Sequence, residues 1–162
     1  MSLEYLKLYF PNEKIGIIGV SLGAASTVLS ITKSNIAPDA IILESIFPTI
    51  ADAVSDRLEL HLGKWGKSFS PLLLYQFLLR LGFFVAQLQP IAELPSLHVP
   101  ILIVAVSEDQ HAKINETKDI FQAANYPKEL WIVNGAAHVN LFEFDPSTYQ
   151  YRVSTFFYKY LR

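Results

Sequence analysis

The chain has 162 residues, 51% of them hydrophobic and 17% charged, which is enough apolar sequence for one folded core and excludes a disordered chain. Its formal net charge is -2 and its basic residues are scattered, which excludes the dense positive patch of a nucleic-acid-binding protein. It has no cysteine, which excludes disulfides, thiolate zinc sites and a cysteine nucleophile. We expect one domain over residues 1–162, with no nucleic-acid partner, no metal and no cofactor.

The sequence also bears on whether the protein is secreted or inserted into a membrane. No basic start followed by an apolar run opens the chain, so we expect no secretory signal and a cytoplasmic location. The most apolar stretch runs from Ser68 to Ala92, where Arg80 is the only charge. Because an arginine near the middle of a spanning helix is costly, a buried or lid helix is the expected structure here, and no membrane span.

Apolar runs alternate with longer helical patterns, which predicts an α/β fold with a predominantly parallel sheet flanked by helices. Four short runs rich in isoleucine, leucine or valine are predicted as strands: 14–20, 40–43, 101–106 and 129–133. Four segments with helical spacing are predicted as helices around them: 3–10, 22–32, 112–124 and 146–161.

The stretch between the second and third strands, residues 48–96, is too long for a simple crossover. We predict a helical cap or lid insertion there. One helix is expected near 51–62. A second is expected from about Pro71 to Phe84, because Ser70-Pro71 is a capping residue followed by a proline at the first helical position.

The strongest chemical signal is Gly19-Val20-Ser21-Leu22-Gly23, which reads G-x-S-x-G where a strand meets a helix. A serine on such a sharp turn is presented above the sheet, and glycine is expected on both sides because side chains there would collide with the strand and helix. Ser21 is therefore the candidate nucleophile, and the backbone N–H of Leu22 is a candidate oxyanion donor. The alternative is a glycine-rich turn with an incidental serine.

Asp109 follows the third strand, where catalytic groups gather at the carboxyl ends of parallel strands. A solvated acidic loop is the alternative, and Glu108 is the nearest competitor.

His138 follows the fourth strand, in a loop whose small residues allow it to fold back over the sheet edge. The order of nucleophile, acid and histidine, each beyond a later strand, favours one catalytic site. None of the other three histidines follows a strand end in the right place: His61, His98 and His111.

With these motifs the chain resembles the α/β-hydrolase superfamily, in the group with lysophospholipase-like and serine-aminopeptidase-like members. GVSLG matches the nucleophile elbow, LPSLHVPILIVAVSEDQ resembles the segment with the catalytic acid, and KELWIVNGAAHVNLF resembles the segment with the catalytic histidine. The resemblance implies a serine hydrolase acting on an ester, thioester or similar acyl bond of a small-molecule substrate. Ser21, Asp109 and His138 would be its triad.

Two departures from the family pattern leave alternatives open. The usual His-Gly of the acid strand is Ala105-Val106, so Glu44, after the second strand, is a possible substitute acid. The family's first four strands and one oxyanion loop are missing, so we expect an exposed edge on the first strand and a possible homodimer through it. A non-catalytic binding or interaction domain on a truncated fold is the alternative function.

The apolar insertion suggests an acyl chain or other hydrophobic group in the substrate. Three of its residues are candidates for lining that site: Leu72, Phe77 and Phe83. Ordinary core packing is the alternative, given their helical spacing.

Overall fold

In the part of the chain that the structure describes, the sheet has four strands, all parallel and in sequence order. The computed structural model describes residues 2–34, 36–82, 85–109 and 112–162. The order β1-β2-β3-β4 places β1 and β4 at the two edges, with every carboxyl end on the same rim. The strands are β1 Gly16–Val20, β2 Ala40–Glu44, β3 Ile101–Val106 and β4 Lys128–Val133.

Helices cover both faces of this sheet, so the predicted α/β class is confirmed. In chain order they are α1 Ser2–Tyr9, α2 Leu22–Lys33, α3 Ile50–Leu62, α4 Lys64–Leu81, α5 Pro90–Glu93, α6 Ile114–Ala123, α7 Leu141–Phe144 and α8 Pro146–Tyr160. Most bounds lie within two residues of the predicted ones. The short helices α5 and α7 were not predicted, since four residues carry too little periodicity to reveal a helix.

The core lies in two layers because successive residues of a strand point to opposite faces. On one face, Ile41 and Ile103 pack against Val28 of α2 and Ile120 of α6. On the other face, Ile42, Leu102 and Val104 pack with Phe156 of α8. All the residues of β2 and β3 are buried, which explains why both strands are apolar apart from Glu44 at the end of β2.

The predicted start of the second insertion helix is wrong. Helix α4 begins at Lys64, and Pro71 lies in its interior. The backbone of Gly66 lies so close to the Leu58 carbonyl of α3 that no side chain would fit between them. This packing stabilises the turn before the proline, although Pro71 has no N–H for the helical ladder. A tertiary contact thus outweighs the local start signal.

Helices α3 to α5 occupy the predicted insertion 48–96, and α4 packs mainly on α3. Within the described ranges, no helix has both the length and the apolar character needed to cross a membrane.

Candidate active site

Ser21 lies on a strained turn between β1 and α2. Its φ of 51° and ψ of -114° are unusual for a residue with a side chain. The Ser21 N–H donates to the Glu44 carbonyl at 2.8 Å, and the Ser21 carbonyl accepts from the N–H groups of Ala24 and Ala25 at 3.0 and 3.2 Å. Such strain persists only where the surroundings hold it. Strand β2 and helix α2 therefore hold the serine in place.

The two glycines of the G-x-S-x-G sequence differ in what they require. A Cβ on Gly19 would lie 2.7 Å from the Ala24 Cα and 2.8 Å from the Gly23 carbonyl oxygen, so the predicted need for glycine is confirmed there. A Cβ on Gly23 would meet no described atom within 4 Å. The predicted collision at Gly23 is wrong, because the space beside this first turn of α2 is open.

Asp109 and His138 form a direct contact, with 2.9 Å between Oδ2 and Nδ1. The Asp109 side chain is fully buried, whereas 30% of the His138 side chain is exposed. The other carboxylate oxygen, Oδ1, accepts the Ala112 N–H at 3.0 Å. A carboxylate on Nδ1 favours the tautomer that carries the proton there, which makes Nε2 the ring nitrogen able to accept a proton.

The loops that carry these two residues are hydrogen-bonded to each other. The Ser107 N–H donates to the Val133 carbonyl at 2.9 Å, and the Glu108 N–H donates to the Ala136 carbonyl at 3.0 Å. The Gly135 N–H donates to Ser107 Oγ at 2.8 Å. Sequence analysis missed Ser107, although a serine directly after a strand end was a signal for it. Glu108, the competing acid, has an exposed side chain and joins the loops through its backbone.

Glu44 contacts a different partner. It ends β2, is 4% exposed, and its Oε1 accepts the Tyr149 hydroxyl of α8 at 2.6 Å. Burial raises the pKa of Glu44, and the hydrogen bond from Tyr149 only partly offsets this. Burial, together with Glu44, also raises the pKa of Tyr149. Asp109, rather than Glu44, is thus the carboxylate that lies against His138.

A cavity of about 470 Å³ lies between the end of β1 and the histidine loop. Val20, the residue before Ser21, lines it together with Glu44, Tyr149 and His138. Leu22 opens α2 next to this turn, and the first N–H groups of a helix have no acceptor within the helix. The described lining of this cavity includes His138, whose imidazole Asp109 orients, but not Ser21 itself.

Other predicted residues lie elsewhere. Leu72 is 62% exposed on α4 and is not among the described residues that line the cavity beside His138. The Phe77 side chain and Phe83 lie outside the described residues, and so does His111. His61 and His98 are exposed, in the last turn of α3 and before β3. Among the described residues, no group of three or more histidine or carboxylate side chains could hold a metal ion.

Comparison with known proteins gives one relative by sequence and several solved structures with a similar fold. No family profile matches the chain. The chain is 24% identical over 145 residues to the uncharacterized protein YqkD of Bacillus subtilis. That alignment covers 88% of this chain and 47% of the relative, so the chain spans about half of the relative's length.

Solved esterases and hydrolases superpose on nearly the whole chain. An esterase of Pyrococcus furiosus has a TM-score of 0.75 and 19% identity, over 99% of this chain and 59% of its own. The esterase domain of a Rhodothermus marinus protein has a TM-score of 0.71 and 18% identity, over 99% and 66%. The α/β hydrolase GrgF of a Penicillium species has a TM-score of 0.66 and 17% identity, over 99% and 69%.

These neighbours share the parallel sheet on which the serine turn and the acid and histidine loops stand. The predicted likeness in fold is confirmed, while the narrower subgroup stays a prediction. The chain has the α/β-hydrolase fold.

Proposed function

We propose that this chain carries the nucleophile, acid and base of a serine hydrolase that acts on an ester, thioester or similar acyl bond. The observation that carries the proposal is the 2.9 Å contact between Asp109 and His138, on loops beyond β3 and β4. The strained turn at Ser21, on the same rim, supports it. The esterase names of the structural neighbours agree with this chemistry.

The reaction would proceed through an acyl-enzyme. His138 takes the proton from Ser21 Oγ as that oxygen attacks the carbonyl carbon of the substrate. Asp109 keeps the imidazole oriented and stabilises its charged form. When the tetrahedral intermediate collapses, the leaving group departs with the proton from His138. A water then attacks the carbonyl carbon of the acyl-enzyme and gives its proton to His138. His138 returns that proton to Ser21 Oγ as the acid leaves.

The developing oxyanion needs at least two donors. The Leu22 N–H, at the positive end of α2, is one candidate. Removing one donor from such a site lowers the rate by about 10²–10³-fold. With the Leu22 N–H as the one donor named, we therefore expect slow turnover.

Among the described residues β1 pairs only with β2, and its other edge favours a second, non-catalytic candidate function. Ile18 and Val20 are 42% and 52% exposed there, and an unpaired apolar edge invites another strand. Pairing with a second copy would make the chain an interaction module. Size-exclusion chromatography over a range of concentrations tests this, because a monomer throughout contradicts edge pairing.

A fluorophosphonate probe tests the hydrolase proposal, since it labels only an activated serine. We expect the chain to be labelled, with the added mass on Ser21. Ser21→Ala and His138→Ala should each slow labelling by at least about 10³-fold, because the triad acts as a unit.

Ser30→Ala is the control, because Ser30 is exposed farther along α2 and is not among the described residues that line the cavity beside His138. Its labelling rate should match that of the unmodified chain. A folded chain that takes up no probe, or takes it up at another serine, contradicts the proposal.

A further inference from the structure

Lys113 joins two segments that lie far apart in the chain. Its Nζ donates to Asp56 Oδ1 at 2.8 Å, across 57 residues of sequence. Asp56 lies on α3, in the segment between β2 and β3, and Lys113 directly precedes α6. The Asp56 side chain is 8% exposed and that of Lys113 is 49% exposed. A carboxylate buried to this degree is costly unless a cation and a hydrogen-bond donor meet it, and Lys113 supplies both.

Carboxylates from two helices surround this ammonium group. Asp56 and Glu59 come from α3, and Glu116 comes from the first turn of α6, where its Oε1 is 3.9 Å from Lys113 Nζ. The hydrogen bond with Asp56 raises the pKa of Lys113 most, and the charges of these carboxylates raise it further, against the effect of burial. Burial and the charge of Asp56 in turn raise the pKa of Glu116. Without the Lys113 charge, Asp56 and Glu116 would therefore repel each other.

The backbone at Lys113 is also connected to Asp109 of the candidate site. Ala112, the residue before Lys113, is 2% exposed, and its N–H donates to Asp109 Oδ1 at 3.0 Å. On the other side, the Lys113 N–H donates to Glu116 Oε2 at 3.3 Å, and the Lys113 carbonyl accepts the Thr117 N–H at 3.0 Å. This short backbone segment is thus held by α3 and by the first turn of α6, and it holds the carboxylate of Asp109.

We propose that Asp56 and Lys113 are positioning residues through which helix α3 sets the orientation of Asp109. Their ion pair fixes the backbone at Lys113, so that the Ala112 N–H stays on Asp109 Oδ1. Asp109 Oδ2 is thereby kept against His138 Nδ1, at 2.9 Å. The catalytic consequence rests on the proposed function, because it needs a working triad. The restraint on the Ala112 N–H depends on no reaction.

An ion pair that only stabilises the fold is the alternative. Because half of the Lys113 side chain is exposed, solvent screens the pair, and pairs of this kind contribute little to folding stability. An effect on Asp109 should instead appear in the reaction rate of Ser21 and in the hydrogen bond of the Ala112 N–H. Both are therefore measured beside the stability to urea.

Labelling of Ser21 by the fluorophosphonate probe tests the effect on the reaction. Lys113→Met keeps the aliphatic stem and removes the charge. We expect it to slow labelling by about tenfold, since a small misplacement of a catalytic group is costly. Lys113→Arg keeps the charge and should label within about threefold of the unmodified chain. Lys7→Met is the matched control, since it removes the 2.7 Å ion pair with Asp39 and should leave the labelling rate unchanged.

A double-mutant cycle separates positioning from general destabilisation. An Asp109→Ala background has no carboxylate left to position, so adding Lys113→Met should slow labelling further by less than about twofold. Slowing that persists in full would show that Lys113 acts through the fold and not through Asp109. If Lys113→Met fails to fold, Asp56→Asn takes its place, because it removes the partner charge and keeps the size of the side chain.

Amide hydrogen exchange, followed by NMR, measures the restraint without any chemistry. The Ala112 amide should exchange at least about tenfold faster in Lys113→Met than in the unmodified chain, because its acceptor is no longer held in place. Lys113→Arg and Lys7→Met should leave this exchange rate unchanged.

Three results overturn the positioning proposal: an Ala112 amide whose exchange is the same in Lys113→Met, labelling of this variant as fast as that of the unmodified chain, or equal slowing with and without Asp109. A folded chain that takes up no probe contradicts the proposed function instead. The exchange rate of the Ala112 amide then decides the positioning proposal by itself.

Discussion

The two edges of the sheet differ in how well this chain covers them. At the β4 edge, Trp131 and Val133 are buried under helix α8. At the β1 edge, Ile18 and Val20 are 42% and 52% exposed. The acid and histidine loops follow β3 and β4, and each holds the other through backbone hydrogen bonds. The serine turn follows β1, where β2 and α2 hold it.

This difference shows that the residues of one proposed site can be held in place by different sets of contacts. Asp109 and His138 are oriented by contacts between their own loops. Ser21 depends on a strained backbone at the β1 edge, which the Glu44 carbonyl and the first turn of α2 keep in place. Changes on the β1 side should therefore disturb the turn itself, and changes on the β4 side should loosen the two loops.

The largest effect is expected at Gly19. Gly19→Ala would place a Cβ within 2.9 Å of the Ala24 backbone, so we expect the free energy of unfolding to fall by about 3 kcal/mol, at the upper end for overpacking. Urea denaturation measures this. Gly23→Ala is the control and should change stability by less than about 1 kcal/mol in either direction, because its Cβ meets open space and alanine favours helix. Equal losses of unfolding free energy in both variants would contradict the open space beside Gly23.

The next effect is expected on the β4 side. Asp109→Ala leaves the Ala112 N–H and His138 Nδ1 without their carboxylate, and we expect a loss of about 2 kcal/mol in the free energy of unfolding. Glu108→Ala changes an exposed side chain while keeping the backbone bond to the Ala136 carbonyl. Its stability should stay within about 0.5 kcal/mol of the parent in the same denaturation series. A similar loss in both variants would mean that Asp109 does not support the loops.

A smaller effect is expected at Asp39, which joins α1 to the start of β1. Burial by itself raises the pKa of Asp39, but hydrogen bonds from Lys7, the Ile15 N–H and Lys14 outweigh it and lower the pKa to about 2. The stabilisation is therefore complete above the usual pKa and is lost as the pH falls through about 4 toward 2. Asp39→Asn should cost about 1 kcal/mol at pH 7.

Thermal unfolding from pH 7 down to pH 2 checks the Asp39 prediction. The difference between parent and Asp39→Asn should shrink toward the acid end of this range. A constant difference would show that the carboxylate charge plays no part.

The smallest effect is expected at Glu44, and it has the opposite sign. Because burial raises its pKa in the fold, Glu44 favours the folded state below its usual pKa, and this advantage is lost as the pH rises through the folded value. Glu44→Gln keeps an acceptor for the Tyr149 hydroxyl and removes the charge. At pH 7 it should be as stable as the parent, or more stable by less than about 1 kcal/mol.

Tyr149→Phe is the matched variant for Glu44, since it leaves the buried carboxylate without this donor and should destabilise the fold. Unfolding curves at pH 5 and pH 8 separate the two variants. A Glu44→Gln protein that is clearly less stable than its parent at pH 8 would contradict the raised pKa.

Much of the fold and part of the site could be predicted from the sequence, because the relevant signals are local. Short isoleucine-rich runs indicated buried strands, and β3 was predicted with the bounds that the structure has. The G-x-S-x-G sequence predicted a tight strand-to-helix turn, and Gly19 requires glycine there. Chain order then predicted that Asp109 and His138 lie beyond neighbouring strands.

Only the tertiary structure decided which of these residues contact one another. The choice of Asp109 over Glu44 as the partner of His138 depends on loops 29 residues apart meeting at one rim, and Tyr149 reaches Glu44 from a helix 105 residues away. The start of α4 depends on Gly66 packing against α3, and the open space beside Gly23 depends on what stands next to β1. Periodicity and turn chemistry report a residue's immediate neighbours along the chain, whereas these outcomes were set by packing between distant segments.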